Sequence, residues 1–181
     1  MRAPKCSTVG SVCDTASLLN GRGTMAGGQE PNRPNTIDGC EDGSDGNYQD
    51  DESIDRIVVR TVDGGDFNGG ALVSVDATIH AWGDGSDDYA DFYYTTDVAN
   101  PNWVKINMDS LKPQMGGVQT LSAKYFLPHG FGTQAVRVVF KYSSTSSAAS
   151  PCPGGSWTDV DDVVFSVSMN GVVSEPDHAE G

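Results

Sequence analysis

Positive charge is scarce in this sequence. Against 25 Asp and Glu stand 11 Lys and Arg, which leaves a formal net charge of -14. Such a chain repels polyanions, and no Lys/Arg cluster offsets the excess, so neither nucleic acid nor an anionic membrane is expected as a partner. Long apolar runs are missing too. None approaches the ~20 residues that a membrane-spanning helix needs. Histidine is limited to His80, His129 and His178, in a strand, a turn and the C-terminal segment. No nucleophile motif such as GxSxG accompanies any of them, so the chain is expected not to be an enzyme. The opening MRAPKC has no apolar h-region, so for a secreted protein the signal peptide is read as removed or as part of a longer parent.

Cysteine is sparse as well: Cys6, Cys13, Cys40 and Cys152. None forms CxxC and no histidine sits at ligand spacing beside them, which argues against zinc. Their neighbours are Gly, Ser, Pro and Asp, as in the loops of a secreted domain. We read two disulfides, Cys6–Cys13 closing a short loop and Cys40–Cys152 joining distant segments. Four cysteines allow three pairings, and sequence alone does not choose among them.

What is abundant is alternation. In ALVSVDATIHAW, Val73, Val75, Ala77, Ile79 and Ala81 share one face, and Ser74, Asp76, Thr78, His80 and Trp82 the other. DYADFYYTT repeats the pattern with Ala90, Phe92 and Tyr94 inward. QTLSAKYFL does so with Leu121, Ala123, Tyr125 and Leu127, and AVRVVFKY with Val136, Val138, Phe140 and Tyr142. SIDRIVVRT, DDVVFSVS and the shorter NWVKIN complete the set. Glycine-rich turns (DGGDFNGG, GDGSDD, MGG, PHGFG) separate them, and no capped stretch of helical period intervenes. The expected fold is all-β: an antiparallel, jelly-roll-like β-sandwich of about seven or eight strands, tied by disulfides. It should occupy residues 38–168. Residues 1–37 should wrap over it, with ASLLNGRG adding an edge strand, and residues 169–181 should form a tail or linker. SSTSSAASPCPGGS reads as a low-complexity loop that Cys152 ties down.

The densest chemistry lies in DGCEDGSDGNYQDDESIDRIVVR. Between Glu41 and Asp55 it holds seven acids and no base. Calcium takes six to eight hard oxygen ligands, and carboxylates, amides and glycine-freed carbonyls supply all three kinds. An EF-hand does not fit, because Glu41 and Gly43 would occupy its first and third positions. A second cluster, Asp159, Asp161 and Asp162, precedes the last strand. In a sandwich whose first and last strands pair, both clusters reach one edge, and converging carboxylates need a cation between them. The expected Ca2+ ligands are Asp42, Asp51, Glu52 and Asp162 foremost, then Asp159, Asp161 and Glu30. Asp84, Asp87 and Asp88 read as an ordinary hairpin turn. Trp82, Tyr89, Tyr93 and Trp157 are candidate exposed aromatics, and Trp82, Tyr89 and Tyr93, with Asp91 on the same outward face as the two tyrosines, form a candidate glycan-binding set, since sugar C–H groups stack on aromatic rings. Trp103 is assigned to packing.

Several stretches resemble a known family: LLNGRG, EPNRPNTIDGCEDGSDGNYQDDESIDRI, DYADFYYTTDVANPNW, QTLSAKYFLPHG, QAVRVVFKY and DVDDVVFSV. Together they look like an extracellular accessory module, appended often C-terminally to secreted peptidases and other secreted proteins of bacteria and some microbial eukaryotes. The likeness runs over about residues 6–168, with DGxxGxYxxDESIDRI and DxDDxxF its most specific parts. It implies a secreted, disulfide-tied sandwich that is not itself the catalyst. No peptidase domain is present, so no enzyme partnership follows. Three functions compete: a calcium-stabilised module for extracellular polysaccharide or matrix, a purely structural or interaction domain, and a free-standing polysaccharide hydrolase or lyase.

Overall fold

The computed structural model describes residues 2–23, 30–130, 132–142 and 150–168. Nine strands and no helix are found among them: β1 (Lys5–Cys6), β2 (Val12–Asp14), β3 (Ser53–Thr61), β4 (Leu72–Ala81), β5 (Asp88–Thr95), β6 (Val104–Lys105), β7 (Gly117–Phe126), β8 (Thr133–Tyr142) and β9 (Thr158–Ser166). They form two facing sheets, ordered β1-β9-β8-β5-β6 and β2-β3-β4-β7. All pairings are antiparallel except β1 with β9, which is parallel. The expected tail, 169–181, and positions 143–149 of the low-complexity loop lie outside the described residues.

Alternation builds the core. Val73, Val75, Ala77, Ile79 and Ala81 of β4 meet Ala90 and Phe92 of β5, Val136, Val138 and Phe140 of β8, and Val163 and Phe165 of β9, all essentially inaccessible to solvent. Each Val, Ile or Phe side chain among them contributes about 1.5–3 kcal/mol on burial, and each Ala less. Two expectations need correction. ASLLNGRG forms no strand: residues 16–19 are a turn, and the short edge strands come from residues 5–6 and 12–14 instead. The first and last long strands, β3 and β9, do not pair either; they lie in different sheets and face one another across the core. The disulfides are Cys6–Cys13 and Cys40–Cys152. The second spans 112 residues of sequence and stabilises by about 4–5 kcal/mol in the chain-entropy account.

The outer edge of β9 positions the site. An uncovered edge would leave a row of unpaired N–H groups. Here the N-terminal region answers them one at a time. Val164 N donates to Pro4 O at 2.9 Å, Asp162 N to Asn35 O at 3.1 Å, and Val160 N to the Asp42 carboxylate at 2.9 Å. Farther along, Gly43 N donates to Thr158 O at 2.7 Å. Gly43 is required there, because a Cβ would collide with the Ser156 carbonyl.

Candidate functional site

β9 begins Thr-Asp-Val-Asp-Asp-Val-Val-Phe, and period two sends its acids to opposite faces. Asp159 and Asp161 share parity with Val163 and Phe165, so they point between the sheets, at one end of the core. Asp162 shares parity with Val160, which packs on the other face against Cys40, Tyr93 and Val139, with Trp103 over them. All three acids are fully buried.

Inside, Glu30 from the N-terminal segment joins Asp159 and Asp161, and one carboxylate oxygen of each lies within 4.8 Å of the others. The Asn35 side chain sits beside Glu30. Asn35 has φ of 55°, the left-handed region that asparagine tolerates better than most residues. Asp159 spends one oxygen on Ile54 N of β3, at 2.6 Å. Asp42 borders the group with both oxygens engaged, by Val160 N at 2.9 Å and Gly23 N at 2.7 Å. Both Glu30 oxygens, both Asp161 oxygens, Asp159 Oδ1 and Asn35 Oδ1 are buried without a hydrogen-bond partner among the described residues.

Among the described residues, one cation answers these charges. Arg22, also fully buried, donates through Nη2 to Thr158 O at 3.0 Å, while its Nε and Nη1 have no hydrogen-bond partner. Its field reaches Glu30, Asp42, Glu52 and Asp159. Gly46 lies over the guanidinium so closely that a Cβ there would collide with Nη1. One guanidinium does not neutralise four carboxylates. Burial, and then the Asp42 charge, pushes Glu30 up to about 8. Burial raises Asp159 and Asp161 well above the carboxylate range, with neighbouring acids adding to it, and it raises Asp42 as well.

The structure redraws the expected ligand set. It brings Glu30, Asp159 and Asp161 together, with Asp42 at their border. Asp162 is elsewhere: Arg137 grips it through Nε at 2.7 Å and Nη2 at 2.9 Å, and Ile37 N donates to it at 2.7 Å. Its oxygens are thus taken, because strand parity turns it away from its neighbour. Arg137 also reaches Asp38, under the Trp103 ring at 4.2 Å. Asp51 closes the turn at 47–51 by accepting from Asn47 N at 2.7 Å. Glu52 turns toward Asp88, and burial, with that carboxylate adding, pushes it up to about 8. Asp88 is therefore more than a turn residue; it is buried and accepts from Trp82 N at 3.0 Å. Asn35 and Arg22 were missed, although Asn35 stands in the Pro/Asn-rich run, where a positive φ is a readable signal.

The expected aromatic face is also corrected. Tyr93 is 3% exposed and Asp91 wholly buried, because β6 and the segment after it cover that side of β5. Asp91 pairs with Lys105 at 2.9 Å and accepts from Ser110 Oγ at 2.6 Å. Tyr89 is partly open beneath Lys112, whose Nζ lies 4.6 Å from its ring. Trp82 remains exposed and lines a cleft of about 220 Å³ with Asp51, Glu52, Tyr142 and Trp157. No protein-family profile and no curated protein matches the chain.

Proposed function

We propose that this chain is a non-catalytic, calcium-stabilised secreted β-sandwich module that binds extracellular polysaccharide or matrix as an accessory domain. One observation carries the calcium reading: six buried oxygens of Glu30, Asn35, Asp159 and Asp161 lack any hydrogen-bond partner. Buried polar groups are normally satisfied, and an unpaired buried carboxylate costs several kcal/mol. Hard oxygens with no nitrogen or sulfur donor suit Ca2+, whose flexible shell accepts six to eight of them. Two disulfides fit an oxidising compartment and support secretion. The purely structural alternative draws on the burial of Tyr93 and Asp91, which removes half of the expected glycan contacts. The exposed Trp82 in its cleft favours binding.

Thermal unfolding with calcium, with magnesium and with EDTA tests the site. Saturating calcium should stabilise by about 4 kcal/mol at a thousandfold excess over Kd. Magnesium should do much less, given its demand for octahedral geometry and retained water. A melting curve indifferent to EDTA and millimolar calcium would leave the six oxygens to be satisfied by protons, and the calcium reading would fail. Release of reducing ends from any polysaccharide would overturn the non-catalytic part.

A further inference from the structure

We propose that the cleft between Trp82 and Trp157 is the saccharide subsite and that it takes an uncharged pyranose ring of a longer chain. The inference rests on the binding reading above and names its place and ligand class. Three aromatic rings from separate elements converge there: Trp82 just after β4, Tyr142 ending β8, and Trp157 just before β9. Each indole stands nearly perpendicular to the Tyr142 ring, at 87° and 82°, with centroids 6.1 and 5.9 Å away. The two indoles stay 52% and 43% exposed, so the fold leaves rigid apolar faces in solvent that it could have buried. Neighbouring exposed aromatics beside polar groups mark binding surfaces.

The polar lining sets the class. Glu52 lines the cleft but is only 1% exposed, with its carboxyl turned toward Asp88. A sugar hydroxyl meets the partly exposed Asp51, while the C–H face of the ring stacks on indole. Among the described residues Asp51 is the other acid at the cleft, and no Lys or Arg lines it. Uronate and sulfate groups would approach Asp51 on a chain of formal charge -14, and like charge opposes them. At about 220 Å³ the cleft falls below the ~300–1,000 Å³ of pockets that engulf a whole small ligand. It suits a single ring of a polymer whose neighbouring rings remain in solvent.

The test is retention and tryptophan fluorescence against neutral β-glucan, mannan and xylan, and against alginate, polygalacturonate and sulfated galactan, all in calcium. Wild-type protein should be retained by at least one neutral polymer and by none of the acidic ones. Trp82→Ala and Trp157→Ala should each weaken that retention at least tenfold, while Trp82→Tyr retains most of it. The calcium-induced rise in melting temperature, measured on the same variants, should be unchanged, which separates a lost contact from a lost fold. Retention that survives both alanine substitutions, or preference for an acidic polymer, overturns this subsite while the binding reading stands. No retention on any polymer overturns the binding reading and the subsite with it.

Discussion

On β9, Asp161 and Asp162 are sequence neighbours of the same type, both fully buried, and they have opposite surroundings. Asp162 faces out of the sandwich, where Arg137 holds it at two points, Ile37 N donates to it, and Trp103 covers the guanidinium. Asp161 faces in, where its nearest charged company is Glu30, Asp159 and Asp42, and neither oxygen has a hydrogen-bond partner. The first is a charge neutralised by its own chain. The second is a charge that the chain concentrates and does not neutralise. A buried acid becomes evidence for a ligand only when its partners are counted.

Removing the cation from the compensated side should give the largest effect. Arg137→Ala strands Asp162 in a dry environment and should destabilise by about 3–5 kcal/mol, equally in calcium and in EDTA, as read from denaturant midpoints. A loss confined to EDTA would mean that the two faces share one site, and the contrast would collapse.

Exchanging the two neighbours sharpens the same point. Asp161→Asn and Asp159→Asn should each remove most of the calcium stabilisation, itself about 4 kcal/mol near saturation. Asp162→Asn should lower stability in both conditions yet leave the calcium increment intact. A calcium increment abolished by Asp162→Asn and kept by Asp161→Asn would reverse the assignment.

Acidity offers a third lever. Glu30, Asp159 and Asp161 have folded pKa values raised above the unfolded ones, so the folded metal-free protein binds more protons than the unfolded chain. Its stability should therefore fall as pH rises from about 5 to about 8, by up to about 1.4 kcal/mol per pH unit for each titrating group. Calcium should cancel that fall, because it holds the carboxylates ionised, and its affinity should weaken in acid. Metal-free stability that climbs over this interval would show that the inner acids are already compensated.

The smallest effect belongs to an acid that neither region uses. Asp87→Asn, in the β4–β5 turn, should change stability by under about 0.5 kcal/mol and leave the calcium increment unchanged. A calcium increment reduced by this change would extend the site to that turn.

The strands were legible because period-two alternation follows from backbone geometry alone, as in β4, where every second residue is core. The acid-rich segments were equally plain as places where charge collects. Which acids meet was not. Asp51 and Glu52 looked like partners of Asp162, but β3 and β9 face each other across the sandwich instead of pairing, so Asp159 became the residue that reaches Ile54 N. Tyr93 and Asp91 looked open because alternation distinguishes two faces without saying what covers either one. The cover comes from Lys105, Ser110 and the Trp103 region, brought there by tertiary folding.

From its sequence alone, this protein is a two-layer β fold with an excess of acid and cysteines set for cross-linking, since period, charge and turn chemistry act over a few residues. The tertiary structure decided which carboxylate acquires an arginine and which is left among its own kind. That outcome depends on segments such as 30–42 laid along the edge of β9, more than a hundred residues away. Electrostatic compensation is a property of positions in space, and no local pattern encodes it.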